Sequence, residues 1–160
     1  MNLRLYQPAD LEALALLFTA SVHVLAAGHY NVAQREAWAP RPPDLALWRV
    51  RLAPLRTLVA EAGAALAGFI AYAGDGHLQY LYCGPAFAGQ GVAFLLYGCA
   101  EAQLRSAGVA QCYTEASLTA RPFFERQGFV MLHEEEAQVG GQRLRRFAMR
   151  KALRPDLRAA

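Results

Sequence analysis

The sequence of 160 residues predicts an α+β fold of the three-layer α/β kind. A mixed, mostly antiparallel central sheet of about seven strands is expected, flanked by about four helices. Three observations predict it. Leu11, Leu14, Ala15, Phe18, Val22 and Leu25 recur at helical spacing. From Thr57 onward the period becomes that of strands broken by glycine turns. The apolar run Leu78–Cys83 leads through a glycine-bearing loop into a helix and then a further strand, a connection that normally crosses over right-handed to a parallel neighbour.

Composition bounds the function classes. Hydrophobic residues make up 55% of the chain and charged residues 18%, so it is globular, and its length suffices for a core without staples. A net charge of +3 suits an anionic small ligand and is too small to argue for nucleic acid. Arg143-Leu144-Arg145-Arg146 is short and reads as the exposed face of a strand. Cys83, Cys99 and Cys112 are widely spaced and odd in number, which argues against a disulfide framework and a zinc site and for a reducing, cytoplasmic setting. No signal peptide and no uninterrupted apolar stretch of membrane length is read, so no membrane partner is expected.

Taken in order, Leu3–Tyr6 is a short strand, and Pro8 and Asp10 open the first helix. Gly28 is placed to end it. An aromatic, histidine-containing segment with His23, His29, Tyr30, Gln34 and Trp38 then runs into prolines 40, 42 and 43. Asp44 caps a further helix holding Leu47, Trp48 and Leu52. These two short helices around a proline turn read either as core with surface histidines or as a lid over an acceptor pocket. Thr57–Ala62, Leu66–Tyr72 and Leu78–Cys83 form a meander with turns at 63–64 and 74–76. The helix after Gly91 presents Val92, Leu95, Leu96, Cys99, Ala100 and Leu104 on one face, and Gly108 stops it. Gln111–Ala116 is a strand. Ala120–Gln127 is a short helix with Pro122 in its first turn, and a hairpin across Gly140-Gly141 joins the last two strands. One domain over residues 1–152 is expected, with a polar tail over 153–160.

The stretch from Leu78 to Ala93 has the physical recipe for holding a phosphate. The first amides of a helix lack intrahelical partners and sit at the positive end of its dipole. Gly89 and Gly91 allow close approach to an anion. A P-loop would need Lys and Ser/Thr after the second glycine, and a dinucleotide fingerprint would need a third glycine at Phe94; neither is present.

Ala88-Gly89-Gln90-Gly91-Val92-Ala93 resembles the pyrophosphate loop of the GNAT N-acyltransferases, with Ala88 where the family has Arg or Gln. Ala120–Phe129 is similar to the family's second signature, a Phe-Tyr-Glu-Lys-x-Gly-Phe type helix, and the two signatures occur in family order across nearly the whole chain. The resemblance implies a GNAT-like sheet whose parallel pair splays, and acetyl-CoA as co-substrate without a metal. Main-chain groups of Leu81, Tyr82 and Cys83 would then pair with the pantetheine arm as a pseudo-strand does. Ser117 would contact that arm or cap the following helix, and Phe124 would lie against the cofactor.

The implied chemistry is direct transfer of an acetyl group to a primary amine of a small molecule or peptide. A tetrahedral oxyanion would be stabilised by an amide near Cys83. An alkylammonium must first lose a proton, so a base is needed. His77, at the start of the central strand, is the first candidate, against its reading as a turn histidine in water. Glu115 and His23 are further candidates. Cys83 lacks a partner for a nucleophilic role. Phe124 stands where many members of the family place a proton-donating Tyr, which leaves Tyr113, water or no acid at all. His23, Tyr30 and Trp38 are the residues expected at the acceptor. The alternatives are a non-catalytic acyl-CoA-binding sensor or regulatory protein, and a structural domain without a CoA site. Oligomeric state is open, a homodimer being one option.

Overall fold

The structure is a computed structural model and describes residues 1–153. The tail expected over 153–160 lies outside the described residues except for Leu153, which is buried and whose N–H donates to the Ala110 carbonyl at 2.8 Å.

The first strand, Asn2–Leu5 (β1), is followed by a 3-10 turn at Pro8–Asp10 and a helix at Leu11–Leu25 (α1). That helix stops at Leu25, with Ala26 as its C-cap, short of the expected Gly28. Two short helices follow, Val32–Trp38 (α2) and Leu45–Leu52 (α3). Their starts are set by side-chain caps: Asn31 and Gln34 exchange reciprocal bonds, and Asp44 accepts from the Leu47 N–H at 3.0 Å. Then come Arg56–Ala62 (β2), Ala65–Tyr72 (β3), Leu78–Cys83 (β4), Val92–Ser106 (α4), Gln111–Ser117 (β5), Arg121–Arg126 (α5), Val130–Val139 (β6) and Gln142–Ala152 (β7). The described residues thus hold five α-helices rather than about four.

The seven strands divide into two sheets, ordered β1-β2-β3-β4 and β5-β7-β6, each antiparallel throughout. Helices α1 and α3 cover one face through Leu14, Phe18, Val22 and Trp48 over Val59 and Phe69. On the other face, α4 and α5 pack Leu96, Tyr97, Ala100 and Phe124 with Ile70, Phe129 and Phe147. Along α4 the inner stripe is Val92, Leu96, Ala100 and Leu104, flanked by Tyr97; Leu95, expected inward, falls on the opposite flank and is exposed. The stretch Pro8–Leu25 is 18 residues long with mean hydropathy 1.3, enough to cross a membrane by length and composition, although Asp10 and Glu12 interrupt it. Its Leu11–Phe18–Val22 side is committed to the sheet.

The two sheets meet where the sequence places parallel neighbours, and they meet over a very short distance. His77 and Tyr113 form a parallel bridge. Within that bridge the Tyr113 N–H donates to the Gly76 carbonyl at 3.1 Å. The Thr114 hydroxyl adds a bond to the Leu78 carbonyl at 2.8 Å. Beyond this contact, β4 and β5 run on without pairing to each other.

Gly76 makes the contact sterically accessible. Its φ is +102°, and a Cβ there would sit 2.1 Å from the Gln111 carbonyl oxygen. Gly76→Ala therefore forces the sheets apart as well as straining the backbone, at a cost of about 3 kcal/mol or more. Urea unfolding of this variant checks it against Gly28→Ala, where nothing lies within 4 Å and which should stay within about 0.5 kcal/mol of the parent.

Candidate functional site

Where β4 and β5 part, a cavity of about 310 Å³ opens. One wall is Leu78–Tyr82 of β4 and the other is Thr114–Ser117 of β5. Along β5, Cys112, Thr114 and Ala116 are buried while Tyr113, Glu115 and Ser117 are half-buried, the alternation of a strand with two different faces. Ala120 and Phe124 from α5 close the cavity on one side; Tyr30, Trp38, Arg145 and Arg146 close it on another.

The glycine loop lies directly beyond β4. A 3-10 turn at Pro85–Phe87 carries the chain round, and Gly89 and Gly91 adopt φ of +73° and +81° with open space where a Cβ would be. Gly91 is the N-cap of α4. Among the described residues, the amides of Gly89, Gly91, Val92 and Phe94 have no backbone acceptor, so a cluster of donors points outward at the positive end of a 15-residue helix. Ala88 and Gln90 are exposed, with the Gln90 amide turned back to donate to the Ala86 carbonyl at 3.1 Å. Val92 is buried under the helix and Ala93 is half-buried.

At the closed end of the cleft sits an acid–base cluster. His77 Nε2 lies 2.8 Å from Glu115 Oε2. The hydrogen bond to Glu115 holds the imidazole above its ordinary 6.5, against the opposing effect of burial. The same bond holds the Glu115 carboxyl below its ordinary 4.5. The imidazole stacks flat on the Tyr113 ring, with centroids 4.7 Å apart and 3° between planes. Tyr113 lies outside the cavity lining. Its hydroxyl donates to Asp75 Oδ2 at 2.7 Å, and that carboxylate pushes the phenol up to about 12. Asp75 also accepts from the His77 main-chain N–H at 3.0 Å.

Three comparisons bear on what this arrangement is. Residues 30–153 match the sequence model of a family described as "Acetyltransferase (GNAT) domain". The chain belongs to the GNAT acetyltransferase family. It is 31% identical over 150 residues to an uncharacterised N-acetyltransferase of Escherichia coli K12, YafP, covering 94% of this chain and 95% of that one. A GCN5-related N-acetyltransferase structure from Rhodopseudomonas palustris superposes with a TM-score of 0.90 at 31% identity, over 94% of both chains. The PaiA N-acetyltransferase of Thermoplasma acidophilum, solved in complex with coenzyme A, shares the fold at a TM-score of 0.71 and 22% identity, over 95% of this chain and 99% of that one.

Within this GNAT frame, His77, Leu81, Tyr82, Ser117, Phe124, Tyr30 and Trp38 come together around the cavity. Ser117 Oγ accepts from the Ala120 N–H at 3.0 Å, so it shapes the entry to α5 while facing the cleft. Phe124 is buried against Phe129 and Phe123, with centroids 5.0 and 5.3 Å away. Cys83 ends β4 outside the lining, its thiol pushed up by burial. His23 also lies outside the lining, with Nε2 2.8 Å from the Ala39 carbonyl. The cavity further brings in Tyr80, Glu115, Arg145 and Arg146, of which the sequence singled out Glu115 alone as a candidate. Setting Tyr113 opposite His77 would have placed Glu115 on the same face of β5, since strand side chains alternate.

The His77–Glu115 pair makes a pH-dependent contribution to stability. A raised histidine contributes below about 6.5 and loses that contribution as pH rises through its folded value. A lowered glutamate contributes above about 4.5 and loses it as pH falls through its folded value. The stability difference between the parent and Glu115→Gln should therefore be largest near pH 5–6, at about 1 kcal/mol or less for a part-exposed pair, and shrink by pH 9. Urea midpoints across pH, with the His77 imidazole titrated by NMR and its pKa falling in the variant, check this. A pH-independent difference would contradict it.

Proposed function

We propose that this chain transfers an acetyl group from acetyl-CoA directly to the primary amine of a small molecule or a peptide. The observation that carries the proposal is the unpaired cleft between β4 and β5, opening beside a helix start whose amides have no acceptor. A pyrophosphate fits the donors of Gly89, Gly91, Val92 and Phe94, with Ala88, Gln90 and Ala93 shaping the loop and helix start around it. The free edges of the strands, from Leu81 to Cys83 on one side and up to Ser117 on the other, suit the amides of a pantetheine arm lying between them. Phe124 offers an apolar surface to the same arm.

His77 is assigned as the base. His77 lines the cavity; Glu115 holds Nε2, which leaves Nδ1 as the ring nitrogen that takes the proton of the incoming ammonium, and the same carboxylate stabilises the imidazolium that results. The neutral amine then adds to the thioester carbonyl. A β4 main-chain amide near Cys83 supports the oxyanion, and collapse releases the thiolate, which takes up a proton. Tyr113 is engaged with Asp75 outside the cavity and is a poor donor for that step. Tyr30 and Trp38, with centroids 5.3 Å apart, offer aromatic walls to the acceptor. The three free cysteines suit a reducing, cytoplasmic setting. Phe124 favours a second reading, a non-catalytic acyl-CoA sensor, because a phenyl ring has no proton to give.

Calorimetry with CoA and a thiol-release assay over a panel of amines separate the two. Binding with release supports transfer, and binding without release across the panel selects the sensor. Gly91→Trp should weaken CoA binding more than about tenfold through strain and obstruction at a positive φ, while thermal unfolding shifts by only a few degrees. Unchanged affinity would remove the loop from the site.

The same assignment predicts the pH profile. A base must be unprotonated, so kcat/KM should rise with pH through the raised pKa of His77. Removing the carboxylate that raises it, in Glu115→Gln, should move that acid limb to lower pH and reduce the plateau rate about 10- to 100-fold. A limb that stays in place would exclude His77 as the titrating group.

A further inference from the structure

We infer that Tyr30 is a positioning residue: it holds β4 and β5 apart at the width the donor arm requires. The inference rests on the proposal that acetyl-CoA lies between those strands. The two sheets are joined at their closed end by the His77–Tyr113 bridge. At the open end no strand pairing fixes their separation. An arm that hydrogen-bonds to both strands needs them roughly 9.5 Å apart, twice the ordinary spacing. A cleft that breathes would lose one set of those bonds.

The chain supplies a second tie at the open end. Helix α1 is packed on the β1–β4 sheet through Leu14, Phe18 and Val22. The segment leaving it crosses to the other sheet. There the Tyr30 hydroxyl donates to the Arg145 carbonyl of β7 at 2.5 Å and accepts from the Leu118 N–H, just past the end of β5, at 2.9 Å. Around this bond the Tyr30 ring packs with Ala26 and Leu144, while Gln34 Nε2 donates to the Arg143 carbonyl at 2.9 Å and His29 Nδ1 lies 3.1 Å from Thr119 Oγ1. Ala26 aside, these partners lie on the β5–β7–β6 side. One phenol, 3% exposed, satisfies both an acceptor on β7 and a donor just past β5 from the segment that follows a helix anchored on the first sheet. A side chain whose hydroxyl is spent on two main-chain atoms has little left for recognising an acceptor through that oxygen.

The test is Tyr30→Phe, which keeps the ring and removes the oxygen. If Tyr30 sets the cleft, the Kd for CoA and the KM for acetyl-CoA rise about tenfold, as for the loss of one or two hydrogen bonds. The KM for the amine should move less than twofold, and kcat at saturating donor should fall less than the donor KM rises. Hydrogen–deuterium exchange should speed up at Leu118 and over 143–146, with the β2–β3 pairing unaffected. A variant with unchanged donor affinity and a raised amine KM would overturn the inference and leave Tyr30 as an acceptor wall alone. Should Tyr30→Phe fail to fold, Gln34→Ala removes a neighbouring tie and should shift donor affinity in the same direction; no shift would overturn it. If the parent protein itself ignores CoA, the transferase proposal falls, and the exchange pattern of Tyr30→Phe still decides whether the residue ties the sheets.

Discussion

Tyr113 donates its main-chain N–H to the Gly76 carbonyl, and at that bridge the edges of the two sheets meet. Gly76 permits an approach that any Cβ would block. Thr114 braces it through the Leu78 carbonyl, and the His77 and Tyr113 rings stack over it. Because pairing stops there, β4 and β5 each present an unused edge. Unpaired edges are ordinarily a liability that proteins cover. Here they form the walls of the cavity, and the same contact carries the His77–Glu115 pair to its closed end. Steric closeness at one glycine thus sets both the opening of the cleft and the location of its acid–base pair.

The electrostatics divide along the same line. At the open end the charge offered is that of main-chain amides at the start of α4, which does not titrate and does not depend on the mild net charge. At the closed end the groups titrate and are mutually adjusted. Glu115 raises His77, His77 lowers Glu115, and Asp75 raises Tyr113 by accepting its hydroxyl proton in a hydrogen bond. Membership of the GNAT acetyltransferase family, carried by the match over residues 30–153, gives this division a chemical sense, since a thioester donor has an anionic end and a reactive end.

Much of this was legible in the sequence, for local reasons. The helical repeat from Leu11, the meander from Thr57 and the strand–loop–helix unit around Gly91 follow from periodicity and glycine placement, which need no knowledge of distant partners. The amide cluster was legible because main-chain donors require no particular side chain, and so the departure at Ala88 did not hide it. What escaped was non-local. Gly76 looked like any turn glycine because the atom it must avoid belongs to Gln111. Tyr113 looked like a proton donor because nothing in the sequence says that it faces Asp75 and not the cavity. Tyr30 does line the cavity, but its second role stayed hidden because the partners of its hydroxyl are main-chain atoms of Leu118 and Arg145. His23 carried an acceptor expectation, whereas its ring bonds the Ala39 carbonyl that ends α2.

The most direct measurement of the central claim is a titration of the isotope-labelled protein with CoA, followed at each backbone amide by NMR. The account predicts that Gly89, Gly91, Val92 and Ala93 shift together with Leu81, Tyr82, Cys83 and Ser117, as the loop and both free strand edges are occupied at once. Saturation with no change at these amides, or changes confined to another surface, would contradict it.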